Sequence, residues 1–178
     1  MKDNVFLKEQ KKYELADYMD FDINGRENLG SSIPVSVYRL LEYSVREEVT
    51  ERFGREIQVE IFRGAGRRAG NYFAQKMLDI TLPYNAFIAQ LQTRMAELKI
   101  GVLRIEKFNE ETGRIVLTVS EDVDCSGLPL LGEYICSFDE GFIAEILSVY
   151  TGKHYTAEEV DCWATGDRVC RFCAEIKE

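Results

Sequence analysis

Residues 158–176 read EEVDCWATGDRVCRFCAEI. Two short runs with apolar residues at alternate positions flank the segment ATGDR, where Gly166 can take the positive φ that a tight turn needs. The segment therefore predicts a β-hairpin. Cys162 and Cys170 stand at its neck, so pairing of the two strands would bring their sulfurs together. Cys173 follows on the second strand, and on a regular strand it points to the face opposite Cys170. Three of the chain's five cysteines thus fall within twelve residues, beside the only tryptophan. A metal clamp, buried inert thiols and a redox pair are the three readings this leaves open.

Working back from the hairpin, SFDEGFIAEILSVYTG (137–152) spaces Phe138, Phe142, Ile146 and Tyr150 by four and ends on a glycine, which predicts a helix. Cys136 sits at its start, where the positive end of the helix dipole favours a thiolate. Glu159 lies three residues before Cys162. That spacing has the wrong parity for one face of a regular strand, so Glu159 joins the cysteines only if the chain bends or bulges there. Three thiolates and one carboxylate are enough for a closed tetrahedral zinc site. Cys125, in the loop VDCSGLPLLGEYIC (123–136), and Cys173 stand as substitutes for any of these.

Further back, VLRIEKF and RIVLTVSED flank the turn NEETG and predict a second hairpin. PYNAFIAQLQTRMAELK predicts a helix with Phe87, Ile88, Leu91, Met95 and Leu98 on one stripe. REIQVEIFRGAGRRAGNYFAQKML begins with strand-like alternation, yet Phe62, Gly66, Ala69, Phe73 and Met77 fall on one helical stripe, so a helix is expected over about 57–79. Its glycines suit a closely approaching neighbour; GAGRRAG lacks the preceding strand and the Lys-Ser/Thr of a phosphate loop. In SSIPVSVYRLLEYSVREEVTERFG, Ser31 or Ser32 can cap, Pro34 suits the first turn, and Val37, Leu40, Leu41, Ser44, Val45 and Val49 recur at helical spacing before Gly54. Residues 1–29 read as a polar arm, and 30–178 as one domain. Helices segregated from two hairpins predict an α+β fold with helices packed on an antiparallel sheet.

A net charge of −9 argues against nucleic acid as a partner, because phosphate neutralisation needs clustered Lys and Arg. No apolar run reaches the roughly 18 residues of a membrane span, and the N-terminus lacks the apolar core of a signal peptide. A cytoplasmic location follows as the expectation, and with it reduced thiols; an odd number of cysteines cannot pair fully in any case. No strand–GxGxxG–helix cradle for a nicotinamide or flavin is present. His154, the only histidine, has polar neighbours and no catalytic partner, and reads as a surface residue.

YICSFDEGFIAEIL followed by EEVDCWATGDRVCRF resembles the 4-vinyl reductase domain family, as do VYRLLEYSVRE and IFRGAGRRAGNYFAQKM upstream. The similarity runs from about residue 33 to 176, and its E-x-x-C-x7-C element is the most specific part. The resemblance implies a fold similar to that of TRAPP tethering subunits. It also implies a structural Zn2+ held by Cys136, Glu159, Cys162 and Cys170. The expected function is a small-molecule-binding, hydrocarbon-binding or sensory domain that signals through a partner or fused output domain. Its expected partners are a small apolar or aromatic molecule and a second copy of the chain. The candidate pocket comprises Phe62, Phe73, Phe87, Leu91, Phe138, Phe142 and Ile146, set against a plainly packed core. The alternatives are a tetrapyrrole vinyl reductase or accessory protein, and a dimeric scaffold; the residues themselves favour a non-enzymatic role. Two departures stand out. Glu145 occupies the place where relatives commonly carry a second small residue after Gly141, and no histidine is placed to hold a phenolic hydroxyl.

Overall fold

The computed structural model describes residues 13–19, 30 and 32–177. The chain divides into two compact units, 1–31 and 32–178. In the first, Leu15–Met19 forms the short helix α1. Most of the arm expected over 1–29, and the candidate cap Ser31, lie outside the described residues.

The second unit begins with α2 (Val35–Phe53), entered through Pro34, whose extended backbone at φ −61° serves as the cap without a side-chain hydrogen bond. Gly54, at φ 83°, ends α2 and opens α3 (Arg55–Met77). The stretch that alternates like a strand is helical. Gln58, Phe62, Gly66, Gly70 and Phe73 are buried along one side of α3, and that face is worth more than the local alternation once another helix packs on it. Next come α4 (Tyr84–Glu97), β1 (Val102–Phe108), β2 (Ile115–Ser120), α5 (Ser137–Thr151), β3 (Tyr155–Asp161) and β4 (Cys170–Ile176).

The four strands form one antiparallel sheet in the order β1-β2-β4-β3, so the two hairpins join edge to edge through β2 and β4. Leu103, Ile115, Leu117, Val119, Phe172 and Ala174 face the core, and alternate positions such as Arg104, Glu106 and Glu175 face outward. Helices α4 and α5 cover the inner face, α3 backs α5, and α2 packs beside α3.

The α3–α5 crossing explains the glycine-rich run. A Cβ on Gly66 would meet the Phe138 carbonyl oxygen at 1.9 Å, and one on Gly141 would meet that of Arg63 at 2.0 Å. Only glycine admits backbones this close. Glu145, in place of a second small residue, ion-pairs with Arg67 at 3.0 Å across the same crossing.

Candidate metal centre and apolar cavity

The neck of the β3–β4 hairpin, the start of α5 and the loop after β2 converge on four buried sulfurs. Those of Cys125, Cys136, Cys162 and Cys170 all lie within 4.8 Å of one another. Sγ of Cys136 is 3.8 Å from that of Cys162 and 3.6 Å from that of Cys170. A tetrahedron of thiolates at zinc–sulfur distances of about 2.3 Å has edges of roughly 3.8 Å, so this donor set fits such an ion. The Ala164 N–H donates to Cys162 Sγ at 3.4 Å, a bond that steadies a thiolate.

Local structure sets each ligand. Cys136 is the cap residue of α5. Cys162 precedes the 3-10 turn Trp163–Thr165, closed by Gly166 at φ 108°. Cys170 opens β4, facing inward, while Cys173 faces outward beside Arg114, as the parity of the strand requires. Cys125 is delivered by a turn in which the Asp124 N–H bonds to Asp122 Oδ1 at 2.8 Å. Two bonds from Leu131 and Gly132 N–H to the Ala164 carbonyl, and one from Trp163 Nε1 to that of Leu128, bind this loop to the hairpin turn.

Of the residues singled out as metal ligands, the structure brings Cys136, Cys162 and Cys170 together and sets Cys125 among them. Glu159 lies alongside. The register slips between Glu159 and Asp161, and this bulge turns Glu159 to the same buried side as Cys162. Its Oε2 accepts the Cys136 N–H at 3.0 Å, and its own N–H donates to Glu140 Oε1 at 2.9 Å. Oε1 of Glu159 is buried without a hydrogen-bond partner. Glu159 thus stitches β3 to the N-terminus of α5, and burial first of all pushes its carboxyl up to about 8. The turn residues that deliver Cys125 gave little sequence signal, since an Asp-flanked cysteine in a loop is common.

Four thiols this close cannot all ionise unaided. Hydrogen bonds from Cys125 first, then Cys136 and Cys170, pull the Cys162 thiol far down. The same sharing, again led by Cys125, holds Cys136 and Cys170 far up. A divalent cation removes this conflict by stabilising every thiolate together.

Against the outer side of the cluster lies the inward face of α2, and that face is polar. Tyr38 Oη donates to Asp124 Oδ1 at 2.5 Å and Tyr43 Oη to the Asp124 carbonyl at 2.9 Å. Arg39 donates to the carbonyls of Val123 and Ser126, and buried Arg46 to that of Ile135. These bonds grip the residues flanking Cys125 and the one before Cys136.

A second feature lies between α4, α5 and the sheet. A cavity of about 10 Å³ is lined by ten side chains, all apolar; that is about the space one water needs. Leu91, Phe142 and Ile146 of the expected pocket line it, with Ile88, Met95 and Leu117 among others. Phe73 packs edge-on against Phe142, Phe138 stacks on Phe142, and Phe87 stacks on Tyr150 at 3.8 Å. Phe62 instead lies under the Arg46 guanidinium, 4.5 Å from its ring. His154 is exposed. No helix among the described residues is long and apolar enough to cross a membrane.

Helices on one face of a four-stranded antiparallel sheet, with buried cysteines clustered at the C-terminal hairpin, define the class. Residues 115–176 match the family model of the 4-vinyl reductase domain, so the resemblance to that family holds. Solved structures agree on the fold. The phenol-responsive sensory domain of the transcription activator PoxR, with phenol, is 13% identical with TM-score 0.64, over 84% of this chain and 78% of that one. A vinyl-4-reductase family protein from Methanocaldococcus jannaschii is 16% identical with TM-score 0.52, over 84% and 85%. Subunit 3 of the trafficking protein particle complex from Naegleria fowleri, covalently bound to palmitic acid, is 10% identical with TM-score 0.65, over 81% and 95%.

Proposed function

We propose that this chain is a sensory domain that binds a small apolar molecule, is locked by a structural zinc ion, and acts as a cytoplasmic homodimer on a partner or fused output domain. The observation that carries the reading is the wholly apolar cavity between α4, α5 and the sheet, beside a sulfur cluster of metal-binding geometry. Like folds serve a phenol-responsive sensory domain and a palmitate-bound trafficking subunit.

The lining offers no hydrogen-bonding side chain, so a hydroxyl placed there would be desolvated without a partner, at about 1–3 kcal/mol. The ligand is therefore a hydrocarbon or an unsubstituted aromatic rather than a phenol. Entry requires the lining to open, and the unbranched, flexible Met95 is the side chain best suited to move. With all four cysteines coordinating, the zinc has no open position, and its role is to pin the hairpin and the Cys125 loop to α5.

Native mass spectrometry of freshly purified protein tests the whole reading, with one zinc per subunit and two subunits expected. Thermal shifts with toluene and phenol test the ligand: toluene is expected to raise Tm, phenol to raise it less, and Ile146→Trp to abolish both responses. Equal shifts with wild type and Ile146→Trp would remove the cavity from the proposal.

A further inference from the structure

Helix α2 is turned inside out relative to an ordinary surface helix. Ile33 just before it, then Val37, Leu40, Leu41, Ser44 and Val45, fall on one continuous side at helical spacing. Normally such a stripe faces the core. Here Ile33 is 66% exposed, Leu40 72% and Leu41 68%, while the tyrosines and arginines of the opposite side face inward. The orientation is not interchangeable. Rolling α2 over would strip the Asp124 side chain and the Val123, Ser126 and Ile135 carbonyls of their donors.

We infer that this exposed side of α2 is the seam of the homodimer, two copies pairing antiparallel across an axis near Leu41. The inference rests on the dimeric reading above and gives it a surface. Three observations select a second copy as the occupant. First, a chain of net charge −9 repels its like, and the stripe from Ile33 to Val45 carries no charged side chain. Second, antiparallel pairing about Leu41 sets leucines against leucines and holds the two Glu48 residues about 21 Å apart along the axis, beyond the screening length of about 8 Å. Parallel pairing would bring those carboxylates together.

Third, the surface has the extent a dimer needs. A helix of 19 residues runs about 28 Å. Its exposed apolar side chains present on the order of 500 Å², at the upper end of what monomers leave bare. Exposed Ile57 and Ile61 on α3, which packs beside α2, add to it. The total approaches the roughly 800 Å² per partner of a standard interface.

The test is sedimentation velocity on the full metal-loaded chain at tens of micromolar, with zinc content and far-ultraviolet circular dichroism measured on the same samples. Wild type is expected to be dimeric. Leu40→Glu/Leu41→Glu is expected to be monomeric, its dissociation constant raised roughly a hundredfold or more, with zinc content and helicity unchanged. Ile80→Glu, an apolar exposed site in the turn after α3, is expected to stay dimeric. A monomeric wild type overturns the dimer and its seam together. A dimeric wild type whose Leu40→Glu/Leu41→Glu variant still dimerises overturns the seam alone.

Discussion

Arg46 is buried, yet it holds three elements together: its guanidinium lies over the Phe62 ring of α3, donates to the Ile135 carbonyl ahead of Cys136, and pairs with Glu42 at 2.8 Å. Removing it leaves the Glu42 carboxylate buried and unpaired. Arg46→Met is therefore expected to lower stability by about 3–5 kcal/mol, with Glu42→Gln restoring part of the loss in the double variant; chemical denaturation of the four proteins measures the coupling. Glu42 also gives a pH signature. Burial first, then the Asp124 charge, pushes its carboxyl from 4.5 up to about 7, against the pull of Arg46. Between those values the folded state keeps a proton that the unfolded chain releases. Its contribution to stability is thus full below about 4.5 and is lost as pH rises through about 7. Denaturation midpoints from pH 5.5 to 8 are expected to fall more steeply for wild type than for Glu42→Gln; parallel profiles would contradict this. At the metal centre, Cys162→Ser is expected to remove the zinc and lower Tm by at least about 10 °C, seen by metal analysis and calorimetry. Glu159→Ala, which breaks a hydrogen bond to the Cys136 N–H, is expected to keep the zinc and lose about 1–2 kcal/mol.

Among the elements, the α3–α5 crossing is the least tolerant. A Cβ at Gly141 would sit 2.0 Å from the Arg63 carbonyl oxygen, and neither backbone can yield without separating the helices. Gly141→Ala is expected to cost about 3 kcal/mol despite alanine's better helix propensity, whereas Gly64→Ala, with nothing within 4 Å, is expected to be stabilising. Thermal melts of the two variants make the comparison. The β3 bulge shows how much of the site was legible. Strand parity predicts that Cys170 and Cys173 diverge, and they do, because both sit on a regular strand. The same parity excludes Glu159 from the side of Cys162 unless the chain bulges. Whether it bulges is decided by its pairing with β4 and by the Glu140 carboxylate that receives the Glu159 N–H. Neither partner is local. Cys125 escaped for a related reason, since its turn is positioned by bonds to Ala164 and by α2, distant in sequence.

At the scale of the molecule, metal site and exposed helix face are linked through α2. Its inward hydrogen bonds end on Val123, Asp124, Ser126 and Ile135, neighbours of Cys125 and Cys136. Loss of the ion loosens those loops, and with them the footing of α2. Chelation is accordingly expected to weaken self-association as well as thermal stability, measurable by repeating sedimentation on metal-stripped protein; an unchanged dimer would show the two to be independent.

Much was determined by the sequence alone: the helices and hairpins, the α+β class, the hairpin neck that brings Cys162 and Cys170 together, and the family resemblance. These rest on periodicity, turn chemistry and short spacings, all local along the chain. Tertiary structure alone decided which side of α2 turns inward, which sulfur joins the other three, and how little space remains between α4, α5 and the sheet. The physical reason is that an apolar stripe specifies a helix without specifying its burial. Side chains find their partners only when segments dozens of residues apart compete for the same buried volume and the same hydrogen-bond donors.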